Sequence, residues 1–419
     1  MVDSAEEITR RVYDTLVRLA PADAPRLRLW DGSAVGGDAA ATIVLNHPGS
    51  LRAMLLPPTD LSAGEAYVYD DIDIEGDVFS LLEWAASLAE VRGHRLTVAR
   101  LLRQLRRLPS EHRRTDANRP GLSGSLHSTR RDRDAVTYHY DTGNDFYELF
   151  LGETMAYSSA YFLNRSESLD AAQRRKLDLI CRKLELGPGT RFLDIGCGWG
   201  SLVLHAATEY GVRATGVTIS GEQAEYARRW AKTLGVDDRV EIIHGDYREV
   251  KGTFDAIASV GMFEHVGRKH LGQYFSKTRD LLALGGLFLN HGITTFTHER
   301  KRRQKPTFVS TYVFPDGELE PIGAVVEEAE EVGFEARDLE SLRGSYAETL
   351  KRWVGNLEAN RDAAIDATSR ETYRIWRIYM AGSAVGFERG TIGVYQMLLS
   401  DAGRPWQFGR RRLLAKDDT

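Results

Sequence analysis

The sharpest chemical signal in this chain of 419 residues is the string Phe192-Leu-Asp-Ile-Gly-Cys-Gly-Trp-Gly200. An apolar run ends in a Gly-x-Gly-x-Gly turn, and a helical pattern follows. Glycines let a backbone approach a ligand closely, and a helix N-terminus offers free N–H groups. The spacing Gly196, Gly198, Gly200 is not the G-x-G-x-x-G of dinucleotide folds. Asp194, just before the turn, would repel a pyrophosphate but could hold a cationic amino acid. S-adenosylmethionine, which carries an ammonium and a sulfonium, suits that pairing. A plain strand–turn–helix corner is the alternative.

The elements around the turn alternate. Residues 191–195, 213–219, 240–244, 254–260 and 287–293 read as strands, and 199–209, 222–234 and 268–283 as helices. Repeated strand–helix units mean a mostly parallel sheet with helices on both faces. Residues 135–419 form this α/β domain. Residues 1–109 make a smaller α+β domain, with β-like runs at 26–30 and 41–45 and a helical stretch over 78–108. The polar, Pro/Gly/Ser-containing residues 110–134 read as a linker.

Composition limits the function classes. The hydrophobic share is 42% and the charged share 27%, with net charge −5, an ordinary globular balance and not that of a polyanion binder. The two cysteines, Cys181 and Cys197, are too few for a zinc site or a disulfide framework, so no metal is expected and a cytoplasmic setting fits. The N-terminus lacks the apolar core of a signal peptide, and no stretch approaches the roughly 18 apolar residues of a membrane span. Any lipid contact is therefore expected to be peripheral, at the inner face of the membrane.

The glycine string, together with Gly216-Val-Thr-Ile-Ser-Gly-Glu-Gln223 and Ser259-Val-Gly-Met-Phe-Glu-His-Val-Gly267, resembles the cyclopropane-fatty-acyl-phospholipid synthase family. So do His139-Tyr-Asp-Thr-Gly-Asn-Asp145, Met155-Ala-Tyr-Ser-Ser-Ala-Tyr161 and Tyr312-Val-Phe-Pro-Asp-Gly317. Residues 64–77 resemble the N-terminal domain of full-length bacterial members. The resemblance implies a class I S-adenosylmethionine methyltransferase fold with a Rossmann-like, seven-stranded sheet. It implies that Tyr157, Ser158, Gly196, Gly198, Thr218, Gln223, Asp246 and Tyr247 surround the cofactor, beside Asp194. Asp246 could instead serve as a helix N-cap.

The chemistry so implied is methyl transfer to an alkene in the fatty acyl chain of a membrane phospholipid. The alkene attacks the sulfonium methyl and leaves a carbocation. Such a site needs a dry apolar slot, aromatic faces to steady the charge, and a base. By resemblance the base is a bound bicarbonate, and its cradle maps to Glu264, His291, Tyr346, the backbone around Ile293, and Ser159. His and Tyr can donate to an anion, and a glutamate can accept from it. Taken singly, His291 would be an ordinary interior histidine and Glu264 a surface acid.

The chain also departs from the family pattern. Ring-forming members typically read Tyr-Ser-Cys-Ala-Tyr where this chain has Tyr157-Ser-Ser-Ala-Tyr161, and Cys-Ala-x-x-Phe where it has Ser383-Ala-Val-Gly-Phe387. No cysteine nucleophile is expected. The departure favours a methylene-branched product, a precursor of 10-methyl fatty acids, over a cyclopropane.

Two basic patches bear on partners. In residues 92–108, Val98, Leu101, Leu102, Leu105 and Leu108 alternate with arginines at helical spacing, as suits an anionic membrane surface; leucines docked on the domain core are the alternative. The run containing Arg300, Lys301, Arg302 and Arg303 follows the fifth strand and could guide lipid headgroups. No nucleic-acid motif accompanies either patch. A homodimer is the expected assembly, and a non-catalytic lipid-binding protein on the same fold is the rival class.

Overall fold

The computed structural model describes residues 3–91, 93–110, 143–296, 306–315, 317–401 and 403. It divides into two compact units.

The first unit is assembled from residues 1–121, 302–315 and 361–385. Its sheet runs β2 (Ala34–Val35), β1 (Arg26–Arg28), β3 (Ala41–Leu45), β4 (Ile72–Gly76). β3 buries Ala41, Ile43 and Leu45 on one face, the alternation of a half-buried strand. Helix Ala5–Leu19 begins in a capping box between Ser4 and Glu7, and turns Ile8, Val12 and Tyr13 inward.

Two later segments, read from sequence as part of the domain of residues 135–419, belong to this unit. Phe308 packs against Gly64, where a Cβ would have no room, and Tyr312 donates to Glu65 Oε1 at 2.9 Å. Arg374 lies over the Tyr67 ring at 4.8 Å, and Arg377 donates to the Tyr67 hydroxyl at 2.9 Å. The stretch 78–108 is two helices, Val78–Glu90 and Arg95–Leu105, parted at Gly93, whose φ of 84° no helix accommodates. Leu101, Leu105 and Leu108 are buried within the unit, whereas Leu96 and Val98 are exposed.

The second unit holds a seven-stranded sheet. In chain order its strands are β5 (Arg191–Ile195), β6 (Arg213–Thr218), β7 (Val240–His244), β8 (Phe254–Val260), β9 (Leu282–Thr295), β10 (Phe334–Ser341) and β11 (Ile392–Asp401). In space they run β10-β11-β9-β8-β5-β6-β7. Pairing is parallel from β9 to β7, and β11 is antiparallel to both β9 and β10. β5, β7 and β8 fall on the residues expected from sequence. The first helix after the turn starts later than expected, at Ser201, because Gly198 and Gly200 hold positive φ values.

Both faces of the sheet are covered. Phe192 joins a core with Ile180, Val203 and Leu289, while Leu193 and Ile195 join Phe275 and Phe288 on the other side. Asp194 therefore faces the same side as Phe192. Cys181 and Cys197 are free and buried, and burial pushes both thiols well above their ordinary pKa. Among the described residues no helix is long and apolar enough to cross a membrane.

Candidate active site

Strand order reverses between β5 and β8, and open α/β sheets place ligands at the carboxyl ends of strands beside such a switch. A cavity of about 200 Å³ lies there. Tyr157, Ser158, Asp194, Gly196, Gly198, Thr218, Gln223, Asp246 and Tyr247 all line it. At Gly196 φ is 82°, and a Cβ would come 3.0 Å from Met262 across the turn. Any other residue there would be strained and would narrow the cavity floor.

Asp194 is buried, and its Oδ1 has no hydrogen-bond partner among the described residues. Burial raises its pKa to about 7, against the lowering pull of Lys176. An unsatisfied buried carboxylate is costly, and a ligand ammonium is the group that relieves it. Thr218 Oγ1 donates to Gln223 Oε1 at 2.9 Å. Asp246 caps the turn Tyr247–Glu249 by accepting from the Arg248 N–H, and it also lines the cavity. These residues fit S-adenosylmethionine, with Asp194 toward its amino acid end.

Sequence reasoning missed Lys176. Helix Leu169–Lys183 starts at its Ser168 N-cap and buries Ala172, Gln173, Lys176, Leu177 and Ile180. Gln173 and Lys176 thus fall on the apolar stripe of an amphipathic helix, the one signal that could have flagged them. Lys176 lines the cavity and donates to Ser158 Oγ at 2.9 Å. Burial lowers its pKa to about 8, with Asp194 acting in the opposite sense. Gln173 Nε2 donates to the carbonyls of Ala156 and Ser158 at 3.2 and 2.9 Å. Together they fix the segment that carries Tyr157, Ser158 and Ser159.

The residues expected to cradle an anion do not line the cofactor cavity. β8 ends at Val260, opposite His291. Two residues further along β9, the Ile293 N–H donates to Glu264 Oε1 at 2.7 Å. Glu264 Oε2 stays buried without a partner among the described residues. Burial raises its pKa to about 7, and the bond from Ile293 holds that rise back. Gly292 makes room for this, because a Cβ there would strike the Phe263 ring. His291 is buried, with Nε2 unpartnered among the described residues. Burial first, then the charges of Lys176 and Lys183, lower its pKa to about 3, so the ring is neutral.

Tyr346 sits in helix Arg343–Ala359. Its ring packs on Phe387 at 4.7 Å and edge-on to Trp353, which in turn stacks on Tyr157 at 5.3 Å. The same helix meets the segment of Ser159: the Ala160 N–H donates to Thr349 Oγ1 at 3.0 Å. Ser159 is fully buried and donates to the Ala160 carbonyl. Glu264 and Ile293 are thus joined directly, His291 lies two residues before Ile293 on β9, and Tyr346 sits on a separate helix that holds the segment of Ser159. His139 and the basic residues Arg300, Lys301, Arg302 and Arg303 lie outside the described residues.

Comparison with known proteins agrees with this geometry. Residues 127–397 match the model of the mycolic acid cyclopropane synthetase family. A probable fatty acid methyltransferase of Pseudomonas putida is 38% identical over 395 residues, covering 93% of this chain and 94% of that protein. The tuberculostearic acid methyltransferase UfaA1 of Mycobacterium tuberculosis is 33% identical over 392 residues, covering 91% and 88%. The crystal structure of mycolic acid cyclopropane synthase CmaA1 complexed with SAH and CTAB superposes with a TM-score of 0.61 at 34% identity, covering 64% of this chain and 98% of that one. With a class I methyltransferase sheet and a cavity built for a sulfonium amino acid, the chain belongs to the mycolic acid cyclopropane synthetase family and is an S-adenosylmethionine-dependent methyltransferase.

Proposed function

We propose that the protein methylates the double bond of an unsaturated, oleoyl-type acyl chain in a membrane phospholipid and yields a methylene-branched chain. The observation that carries this reading is the buried pair Glu264 and His291, each with one polar atom left without a partner among the described residues. A polar acceptor needs no such pair beside the cofactor cavity. A carbocation does, because its proton must leave without water. The names of the relatives, a fatty acid methyltransferase and a tuberculostearic acid methyltransferase, support the acyl substrate.

Bound S-adenosylmethionine supplies an electrophilic methyl group. Bicarbonate, held by Glu264, His291, Tyr346, Ser159 and the Ile293 backbone, would supply a base. The residues of this chain do the rest. Asp194 and the glycine turn orient the donor. Tyr157, at the cavity with Trp353, Tyr346 and Phe387 packed behind it, offers an aromatic face that steadies positive charge. The alkene carbon forms the new C–C bond as the C–S bond breaks, and the charge moves to the neighbouring carbon. A hydride shift followed by loss of a methyl proton gives the methylene branch; ring closure with loss of a methyl proton gives a cyclopropane instead. Ser159, in place of a cysteine, supports the first outcome. For access to lipid, the exposed Leu96 and Val98 beside Arg95 and Arg100 support a peripheral contact with an anionic surface.

The test is incubation of the purified chain with S-adenosylmethionine and vesicles of dioleoyl anionic phospholipid, followed by mass and proton spectra of the released fatty acids. A gain of one CH2 with vinylidene protons is expected. High-field ring methylene signals would establish the cyclopropane product, and acyl chains of unchanged mass would overturn the acyl-methylation reading.

A further inference from the structure

Gln396 is fully buried on β11, directly opposite His291 in the antiparallel pairing with β9. An amide at the centre of a sheet is costly unless it is hydrogen-bonded. Its Nε2 lies 3.3 Å from His291 Nδ1. Its Oε1 has no partner among the described residues, so the side chain's contribution rests on this one bond.

The direction of the bond follows from which end of the amide faces the ring. With Nε2 toward it, only the amide has a hydrogen to give, so His291 Nδ1 accepts. The neutral ring carries a single proton, which is then on Nε2, the buried nitrogen left without a partner. We propose that Gln396 is a positioning residue that fixes His291 as the Nε2–H tautomer, so that the ring presents a hydrogen-bond donor to a bound anion. The opposite tautomer would turn a lone pair toward that anion and repel it. The inference rests on the reading of His291 as part of an anion cradle, and it adds the residue that gives the ring its polarity.

The experiment is nitrogen–proton correlation spectroscopy of the full chain labelled with 15N-histidine, with His291→Gln used to assign the His291 signals. In the wild type Nδ1 is expected to resonate as an unprotonated nitrogen and Nε2 as a protonated one; the reverse pattern overturns the proposal. Gln396→Leu removes the donor and leaves Nδ1 facing no hydrogen, so the fixed Nε2–H pattern is expected to give way to a mixture of the two tautomers. A ring that stays wholly Nε2–H in a folded Gln396→Leu also overturns it. Should that variant not fold, the wild-type spectrum alone decides. The spectra need no turnover: expected tautomers with no acyl methylation sink the proposed function, while methylation with an Nδ1–H wild type sinks only this inference.

Discussion

Glu264 Oε1 accepts the Ile293 N–H at 2.7 Å across 29 residues of sequence, and the other carboxylate oxygen is left buried and unpartnered among the described residues. Glu264→Gln is expected to lower product formation roughly 100-fold, the ordinary scale for a group that handles a proton. Cofactor affinity by calorimetry should be unchanged, because Glu264 does not line the cofactor cavity. Stability should shift with pH as well. The native carboxyl holds its proton up to about 7, against 4.5 for the free side chain. This stabilisation is fully present below 4.5 and is lost as pH rises through about 7. Across that window the wild type should lose about 3 kcal/mol relative to Glu264→Gln in urea unfolding. Parallel stability curves would contradict the assignment.

Asp194→Asn removes the buried carboxylate at the cavity that we propose meets the ligand ammonium. Affinity for S-adenosylmethionine should fall about 10- to 100-fold, the scale of a lost charge-assisted hydrogen bond. Because Asp194 ionises near 7, wild-type affinity should strengthen from about pH 6 to about pH 8 as the carboxylate forms. The variant should show no such rise. Titrations that superimpose for the two proteins would remove Asp194 from the cofactor site.

Gly292→Ala places a methyl group against the Phe263 ring and 3.1 Å from Glu264 Oε1. Overpacking of this kind destabilises by about 1–3 kcal/mol, so the urea midpoint should drop. Turnover should fall with it, because Glu264 must move. A variant with wild-type stability and turnover would mean that Phe263 yields freely.

Tyr346→Phe separates chemistry from packing. The ring keeps its contacts with Phe387 and Trp353, so stability should stay within about 1 kcal/mol of wild type. Product formation should drop about 10-fold or more through loss of the hydroxyl donor. Full activity in a normally folded variant would reduce Tyr346 to a packing residue.

Much of the sheet was legible because buried parallel strands are short apolar runs closed by turns. Residues 191–195, 240–244 and 254–260 were placed without error on that basis. The cofactor cavity was legible through motifs whose residues sit close together in sequence. What could not be read depends on distant contacts. Lys176 shows only its place on the apolar stripe of its helix until Ser158 supplies its partner. Segments 302–315 and 361–385 join the first unit through Gly64, Glu65 and Tyr67, pairings across more than two hundred residues that no local pattern announces. Helix ends also shifted: the helix expected over 268–283 is Leu271–Leu281, and β9 begins at once after it, at Leu282.

The burial of Cys181 and Cys197 has a practical side. Alkylation and oxidation both proceed through an accessible thiolate; Cys181 is sealed in the core, and Cys197, at the cofactor cavity, is held well above its ordinary pKa by burial. Iodoacetamide should therefore leave turnover intact in the folded enzyme, while the same treatment in urea labels both sites. Handling the purified protein without a thiol reductant should then cost no activity.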